Sequence, residues 1–573
     1  MFGKKLTKAI TGPFLVVAAL SIMVACGPSA QPGEPSTGAG GQAPEKQAAG
    51  GLEVAKERGG RLNMTGISFG NPNDPHLVAT AAGRTYAVPI ANGLLARDIW
   101  DPKAPIVPEL AKSWELSKDG KSYTFKLREG IKFHNVPPVN GREFTSEDAK
   151  YTILRLIADP SVIVEKWKPR FQRRTEFPEF QSIQTPDKYT MVINLKEPFA
   201  PFIDSIAHPG SLVIPREFIE SFPEKIILEG TIGTGPFIPV EYRNQQLATY
   251  KKNPDYWKKD SQGGQLPYLD ELYGIYFGDA QTALASFRAG QLDVAAPTTK
   301  SMMDNVKRDV PGAHTLITPK ASLANFRLNT KFKPFQDVRV RRAIHLVVDR
   351  YQFIDLITEG LGVVSGPVTS PVFPEVTNTI DWLMQQPGYR KDKTQDIVEA
   401  KRLMKEAGYE SGFALQGLFT VGSASGDEAA LLADQLKVIN ITLKPEQVDY
   451  AGQWVPRSTN GEFELSQMTH TVATDVDSVL AVHIMTGGSR NYGQFGNAAI
   501  DDLIRKEQLA TTVEERRKYA QDAEKLVFEQ APMIFTYTRT ALVIAQPWVH
   551  NAADGPVIGH DINMVEKVWM EKR

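Results

Sequence analysis

Ser122–Tyr–Thr–Phe–Lys–Leu127, Thr145–Ser–Glu–Asp148 and Tyr189–Thr–Met–Val–Ile–Asn–Leu195 between them decide the fold class. The first and last alternate with a period of two, as a strand with one buried face does. The middle one resembles a capping box and opens a helix that carries Ala149, Ile153, Leu154 and Ile157. Strand, helix and strand therefore interleave within one stretch, which predicts α/β layers.

The same alternation continues in both directions. Leu62–Asn–Met–Thr–Gly–Ile67 reads as a first strand, followed by the turn cluster Gly70–Asn–Pro–Asn–Asp–Pro75. Ala280 to Gly290 is a helix closed by glycine, leading into Leu292–Asp–Val294 as a strand. Asp337 caps a helix from Val338 to Val348. Gln395 to Ala407 is amphipathic, with Ile397, Leu403, Met404 and Ala407 inward and Gly408 as its stop. A last helix runs from about Val513 to Glu529, ahead of Pro532. No internal repeat is visible, and a solenoid, a coiled coil and an all-β sandwich are excluded. Gly233, Gly235 and Pro236 suit a tight turn where the backbone leaves ordinary geometry. Arg339, Arg341 and Arg342 read as a solvated face or docking surface, and Arg170, Arg173 and Arg174 as a solvated basic cluster.

Met1 to Cys26 stands apart. Lys4, Lys5 and Lys8 precede an apolar run, Phe14 to Val24, which is shorter than the roughly 20 residues a membrane span needs, so it reads as an export signal. Met23–Val24–Ala25–Cys26 resembles a bacterial lipobox, with cleavage before Cys26, the single cysteine of the chain. One sulfur cannot form an internal disulfide, and acylation gives it a use. Each buried lipid methylene contributes about 0.8 kcal/mol, so a multiply acylated cysteine tethers durably. Residues 1–25 are then a lipoprotein signal peptide and 26–58 a flexible tether too polar to fold. The protein is expected outside the cytoplasmic membrane, periplasmic or at the cell surface, and held to it.

The 573 residues carry 65 basic and 66 acidic side chains, and loss of the leader lysines makes the remainder mildly acidic. That balance excludes the basic face a nucleic-acid partner requires. Hydrophobic content of 42% is ordinary for a globular chain large enough to bury a core without disulfides.

Five stretches in order carry a family resemblance. Pro108 to His134 (PELAKSWELSKDGKSYTFKLREGIKFH) is the clearest, and Phe144–Thr–Ser–Glu–Asp–Ala–Lys150 follows it. Thr231–Ile–Gly–Thr–Gly–Pro–Phe237, Ala289–Gly–Gln–Leu–Asp–Val294, and Val338–Arg–Val–Arg–Arg–Ala–Ile344 with Asp349–Arg350 complete the set. Together they resemble the extracytoplasmic solute-binding proteins of the peptide, dipeptide and nickel type (family 5) that feed ABC importers. The resemblance implies an α/β, two-lobed periplasmic-binding-protein-like fold of the type II, large peptide-binding subclass, with an interlobe ligand cleft. Residues 59–319 would form the first part of lobe I, 320–535 lobe II, and 536–573 the return to lobe I. It further implies capture of a small solute (a peptide, an oligosaccharide or another compound of similar size), delivery to ABC permease and ATPase subunits, and a monomer that performs no bond chemistry.

Candidate ligand contacts follow partly from residue type and partly from the family. Peptide-binding relatives carry a Trp-x-x-Asp-x-x-Asp-Pro segment where this chain has Thr469 to Asp477. With Asp475 at the second aspartate, Val472 falls at the amine-pairing position and Thr469 at the tryptophan. Asp475 or Asp477 remains for a cationic group, or serves as a helix cap. Trp454 is a stacking surface or core, and His470 touches ligand or sits satisfied in the fold. Phe69, Asn73 and Asp74 follow the first strand, where open sheets place ligands, although Asp74–Pro75 also fits a plain turn.

Other chemistry is set aside. Gly66–Ile–Ser–Phe–Gly70 fits Gly-x-Ser-x-Gly, but Asn71–Pro–Asn–Asp–Pro75 follows Ser68 where a nucleophile elbow needs a helix. A hydrolase using Ser68, and a chaperone or sensor lipoprotein uncoupled from transport, are the rival readings. The nine histidines include no HExxH pair, so no metal site is readable and no cofactor is implied.

Overall fold

The computed structural model describes residues 52–65, 74–77, 86–98, 105–163, 171, 173–221, 231–371, 373, 376, 378–471, 475–552 and 565–572. The leader, Cys26 and most of the tether lie outside them.

Strand β1 (Arg61–Met64) opens the sheet structure. Next come β2 (Ala111–Leu116), β3 (Ser122–Leu127), helix α1 (Ser146–Leu156), β4 (Phe180–Asp187) and β5 (Thr190–Leu195). These four strands form a separate antiparallel sheet in the order β2–β3–β5–β4. Its apolar positions, Phe125, Leu127, Met191, Ile193 and Leu195, close on Ala149, Ile153 and Leu156 of α1. Each such side chain contributes about 1.5–3 kcal/mol by leaving water. The predicted capping box is present. The Asp148 carboxylate accepts the Thr145 N–H at 2.9 Å, and Arg142 grips the same carboxylate at 2.9 and 2.6 Å. An aspartate at the third helical position thus replaces the usual glutamate, fixed by an arginine.

The chain continues through β6 (Phe237–Arg243), β7 (Leu247–Lys252), β8 (Glu271–Ile275), α2 (Ala280–Arg288), β9 (Val294–Ala295) and the long β10 (His314–Leu328). After α3 (Val338–Val347) and α4 (Thr394–Glu406) come β11 (Phe413–Thr420), α5 (Ser423–Leu436), β12 (Ile441–Val448) and β13 (Leu465–Thr471). Helices α6 (Ala498–Leu509) and α7 (Val513–Gln530) then lead into β14 (Met533–Ala545). Among the described residues, ten of these strands form one sheet in the order β12–β11–β13–β10–β14–β9–β1–β8–β7–β6, and Val363–Val364 joins on β14 as an eleventh. One end buries Leu62, Met64, Tyr250 and Leu272. The other buries Phe326, Leu328, Leu415 and Leu465 against Ile344, Leu403 and Leu432 of α3, α4 and α5.

Local chemistry sets the boundaries. Asp279 and Asp337 cap α2 and α3 by accepting N–H groups at 2.8 Å, and Gly290 and Gly408 follow their helices in the left-handed region. Strand β9 is shorter than the sequence suggests and starts later, because Asp293 is occupied elsewhere. Its carboxylate accepts from Asn63 N–H at 2.8 Å and Trp548 Nε1 at 3.1 Å.

Three expectations are corrected. Gly233 and Gly235 are required by close approach rather than by a left-handed backbone. A Cβ on Gly233 would lie 2.5 Å from Ala91 Cβ, and one on Gly235 would lie 2.4 Å from the Ile90 carbonyl carbon. Arg341 is not on a solvated face: it is buried and donates to the Gln530 and Phe335 carbonyls at 2.9 and 2.7 Å. Arg173 is buried too, held by Glu176 at 2.7 Å and Ser211 Oγ at 3.0 Å. Both interiors end helical or turn segments with surplus carbonyls or hydroxyls, which the planar guanidinium satisfies several at a time. No helix among the described residues is long and apolar enough to cross a membrane.

The packing at Gly235 has a measurable consequence. Gly235→Ala should cost about 2–3 kcal/mol, as overpacking against backbone does. Gly278→Ala, with nothing within 4 Å of its added Cβ, should stay within about 0.5 kcal/mol of wild type. Urea midpoints of the two variants check this, and equal midpoints would show that the turn yields.

Candidate functional site

Strand direction locates the site. Strands β11, β12 and β13 run parallel, as do β9, β1 and β8. Open sheets with parallel strands bind ligands beyond their carboxyl ends. Thr471, at the end of β13, lies opposite Ser322 of β10, and Ala295, at the end of β9, lies opposite Ile544 of β14. The two sets of carboxyl ends therefore point toward one place, the middle of the β10–β14 pair. There the ladder is irregular, with register shifts between Pro319 and Leu323 and between Leu323 and Asn325.

A polar hub supports this crossing. The Glu428 carboxylate, almost wholly buried near the start of α5, accepts from Tyr537 Oη at 2.6 Å, Arg539 Nη2 at 2.7 Å and Gln467 Nε2 at 2.7 Å. Burial and the neighbouring Glu428 charge hold the Tyr537 hydroxyl protonated. The Arg539 side chain keeps 31% of its surface exposed, the one member of the hub that reaches solvent to that degree.

Beyond β13, Asp475 and Asp477 meet in one buried cluster. Asp475 takes the Arg516 guanidinium at 2.7 and 2.6 Å and accepts the Asp477 N–H at 2.8 Å. Arg516 also donates to Glu507 at 2.6 Å, and Gln508 Nε2 donates to Asp477 at 2.8 Å. Two of the three carboxylates, Asp475 and Glu507, thus share one guanidinium. Burial, and then the Glu507 and Asp475 charges, push Asp477 well above the carboxylate range. Burial also pushes Glu507 up to about 7 against the pull of Arg516, with Asp475 adding to the rise. The Gln508 carbonyl accepts the Ala200 N–H at 2.8 Å, linking this cluster to the segment after β5.

The other candidates are placed apart. Asp74 is fully buried, and its two oxygens take His76 N–H and Arg155 Nη1, each at 3.0 Å, and Arg155 Nη2. Burial opposes its ionisation, but the Arg155 charge and hydrogen bond prevail and lower its pKa. The neighbouring His76 is held neutral, its pKa lowered to about 3 by burial and by Arg155. Trp454, just past the end of β12, is 1% exposed and stacks on Tyr450 at 5.6 Å, which leaves Tyr450, 43% exposed, as the outward ring. His470 lies opposite Leu323 at the irregular part of the ladder. Phe69, Asn73, Ser68 and Val472 lie outside the described residues. No cluster of three or more metal-ligating side chains occurs among the described residues.

Glu428, Arg539, Glu507 and Arg516 escaped the sequence reading. Glu428 carried a signal, since Ser425, Ala429, Leu432 and Leu436 place it on the apolar stripe of α5. Arg516 and Glu507 carried none, because each looks like an ordinary charge on an amphipathic helix.

The chain matches the family described as bacterial extracellular solute-binding proteins, family 5 Middle, over residues 105–492. It is 28% identical over 474 residues to the heme-binding protein A of Haemophilus influenzae, covering 80% of this chain and 83% of that one. It is 25% identical over 524 residues to the dipeptide-binding protein of Escherichia coli, covering 88% and 93%. Among solved structures, the periplasmic binding protein DppA of Helicobacter pylori in complex with the peptide STSA superposes with a TM-score of 0.78 at 23% identity, over 90% of this chain and 99% of that one. That likeness shows the fold, two α/β lobes.

The acidic cluster makes stability depend on pH. A carboxylate raised in the folded state binds more protons there than when unfolded, so stability falls as pH rises from about 4.5 toward 7. Each unit of raised pKa corresponds to about 1.4 kcal/mol. Glu507→Gln is permanently neutral, so its melting temperature relative to wild type should be higher at pH 8 than at pH 5. The same difference at both pH values would show that Glu507 is not proton-linked to folding.

Proposed function

The chain belongs to the bacterial extracellular solute-binding proteins of family 5, and on that premise we propose that it captures a peptide or a solute of similar size between its lobes and delivers it to an ABC import permease. It acts by binding, without bond chemistry. The observation that carries this reading is the convergence of parallel-strand carboxyl ends from both halves of the sheet on the β10–β14 crossing.

In this reading residues 59–319 give way to lobe II at a hinge near Pro319–Asn325, with the return after Phe535, and the irregular register there supports it. Closure is favoured only by contacts better made in the closed form, so both lobes must touch the solute. Arg539 is the contact offered by lobe II, and Phe69 and Asn73 are the candidates from lobe I. Anchoring through acylated Cys26 keeps the captured solute beside the membrane.

Two measurements test this. Protein purified without residues 1–25 should carry a solute identifiable by mass spectrometry, or be stabilised by members of a di- and tripeptide pool, since a ligand bound only by the native state raises the melting temperature. No stabilisation by any peptide or sugar pool, together with scattering curves unchanged by them, would sink the capture mechanism. Cys26→Ser should move the exported protein from the membrane fraction to the soluble fraction. Retention in the membrane fraction would remove the lipid anchor from the account.

A further inference from the structure

We propose that Glu359 of lobe II is a positioning residue for solute capture: its carboxylate clasps the first turn of helix Lys300–Asp309 in lobe I and holds the lobes closed. The proposal rests on the solute-capture reading and on its lobe boundaries.

Strand register places the clasp beside the hinge. On the edge of β14 away from β10, Val294 and Ala295 of lobe I pair with Ala545 and Ile544, and Val363 and Val364 of lobe II pair with Thr538 and Tyr537. Both pairings are antiparallel, so the chain leaving Ala295 and the chain entering Val363 approach one another along that edge. The Thr540 hydroxyl donates to the Leu361 carbonyl and holds the second of them there. Across β14 lies the irregular stretch of β10, with Pro319 opposite Thr540 and Leu323 opposite Thr538. A bend in that stretch therefore changes the gap between the two approaching segments. The lobes touch again where the Ala200 N–H donates to the Gln508 carbonyl at 2.8 Å, so this structure has them drawn together.

A charge-assisted contact bridges the gap. Glu359 Oε2 accepts the Ser301 N–H at 2.6 Å and the Ser301 hydroxyl at 2.8 Å. That N–H belongs to the opening turn of a ten-residue helix, where amides lack partners within the helix and favour a negative charge. Thr299, the cap of the same helix, takes the Met302 N–H at 3.2 Å. One amide is thus satisfied from within lobe I and another from lobe II.

The backbone at Glu359 supports the same role. It lies just past helix Arg350–Ile357 with φ of 50°, in the left-handed region where helices ordinarily end in glycine, and Gly360 follows at 80°. Glutamate bears strain there that glycine would not, and the carboxylate is what the position gains. Glu359 and Ser301 are both exposed. Parting the lobes returns both groups to water and strands no buried charge, unlike breaking the Arg155 or Arg516 pairs. A contact of this kind opens and re-forms in each capture cycle.

Pulsed electron spin resonance measures the interlobe distance directly. Protein without residues 1–25 and carrying Cys26→Ser has no other cysteine, so spin labels go only to Glu129→Cys in lobe I and Lys437→Cys in lobe II. Those side chains are 65% and 72% exposed. With no solute added, Glu359→Gly should lower the population at the separation seen in this structure, relative to wider ones, by about threefold to tenfold. Glu359→Gln, which keeps an acceptor oxygen, should fall between that variant and wild type. The melting temperature of Glu359→Gly should stay close to wild type, because glycine suits the backbone. A lowered melting temperature with an unchanged distance ratio identifies a structural role and overturns the clasp. An unchanged ratio in a protein whose lobes still close on a co-purified solute overturns the clasp and leaves capture standing. Lobes whose separation never varies, with or without a di- and tripeptide pool, overturn both.

Discussion

Backbone hydrogen bonds between β10 and β14 run from His314 opposite Ala545 to Arg327 opposite Met533, and sheet from both lobes is built outward from that pair. A ladder of this length would be stiff if it were regular. It is not, because Pro319 has no N–H to donate and the pairing shifts twice before Asn325. The irregular stretch is flanked by side chains that bond across it: Thr540 Oγ1 to the Leu361 carbonyl, Ser365 Oγ to Thr538 Oγ1 at 2.5 Å, and Tyr537 and Arg539 to Glu428. Backbone pairing is irregular there, and side chains bond across the same stretch.

Several buried carboxylates have a guanidinium: Asp74 has Arg155, Glu428 has Arg539, and Asp475 and Glu507 share Arg516. Removing one partner of such a pair is far more harmful than replacing both with apolar groups. Buried Glu524 instead accepts from Thr369 and Asn378. The surplus acid in the Asp475–Asp477–Glu507 cluster is handled differently, by retaining a proton. Glu507 Oε2, buried without a partner, is consistent with that proton. The cluster joins Asp475 and Asp477, which follow β13, to α6 and α7.

What the sequence disclosed follows from the range of the interactions involved. Period-two strands and capped helices are local, so β3, β5, α1, α3 and α7 were legible within a residue or two. Strand β9 was misplaced because Asp293 bonds to Asn63 and Trp548, partners more than 200 residues away. Arg173 and Arg341 read as solvated for the same reason, since the carbonyls and hydroxyls that receive them are supplied by other segments. The Thr469–Asp477 stretch was singled out through the family resemblance, and its Asp475 accepts the Asp477 N–H. Arg516, the partner of Asp475, is 41 residues beyond it on a helix whose pattern gives it no distinction.

The same pairings constrain what the cleft can hold. A cationic solute group recruited by Asp475 must compete with the Arg516 Nη2 already held between its two oxygens at 2.7 and 2.6 Å. If Arg516 is displaced, a buried cation is left opposite Glu507 alone, a cost of several kcal/mol that one new ammonium contact does not recover. Asp74 is bound as firmly by Arg155. Electrostatics in this interior therefore resists a new cation at its carboxylates.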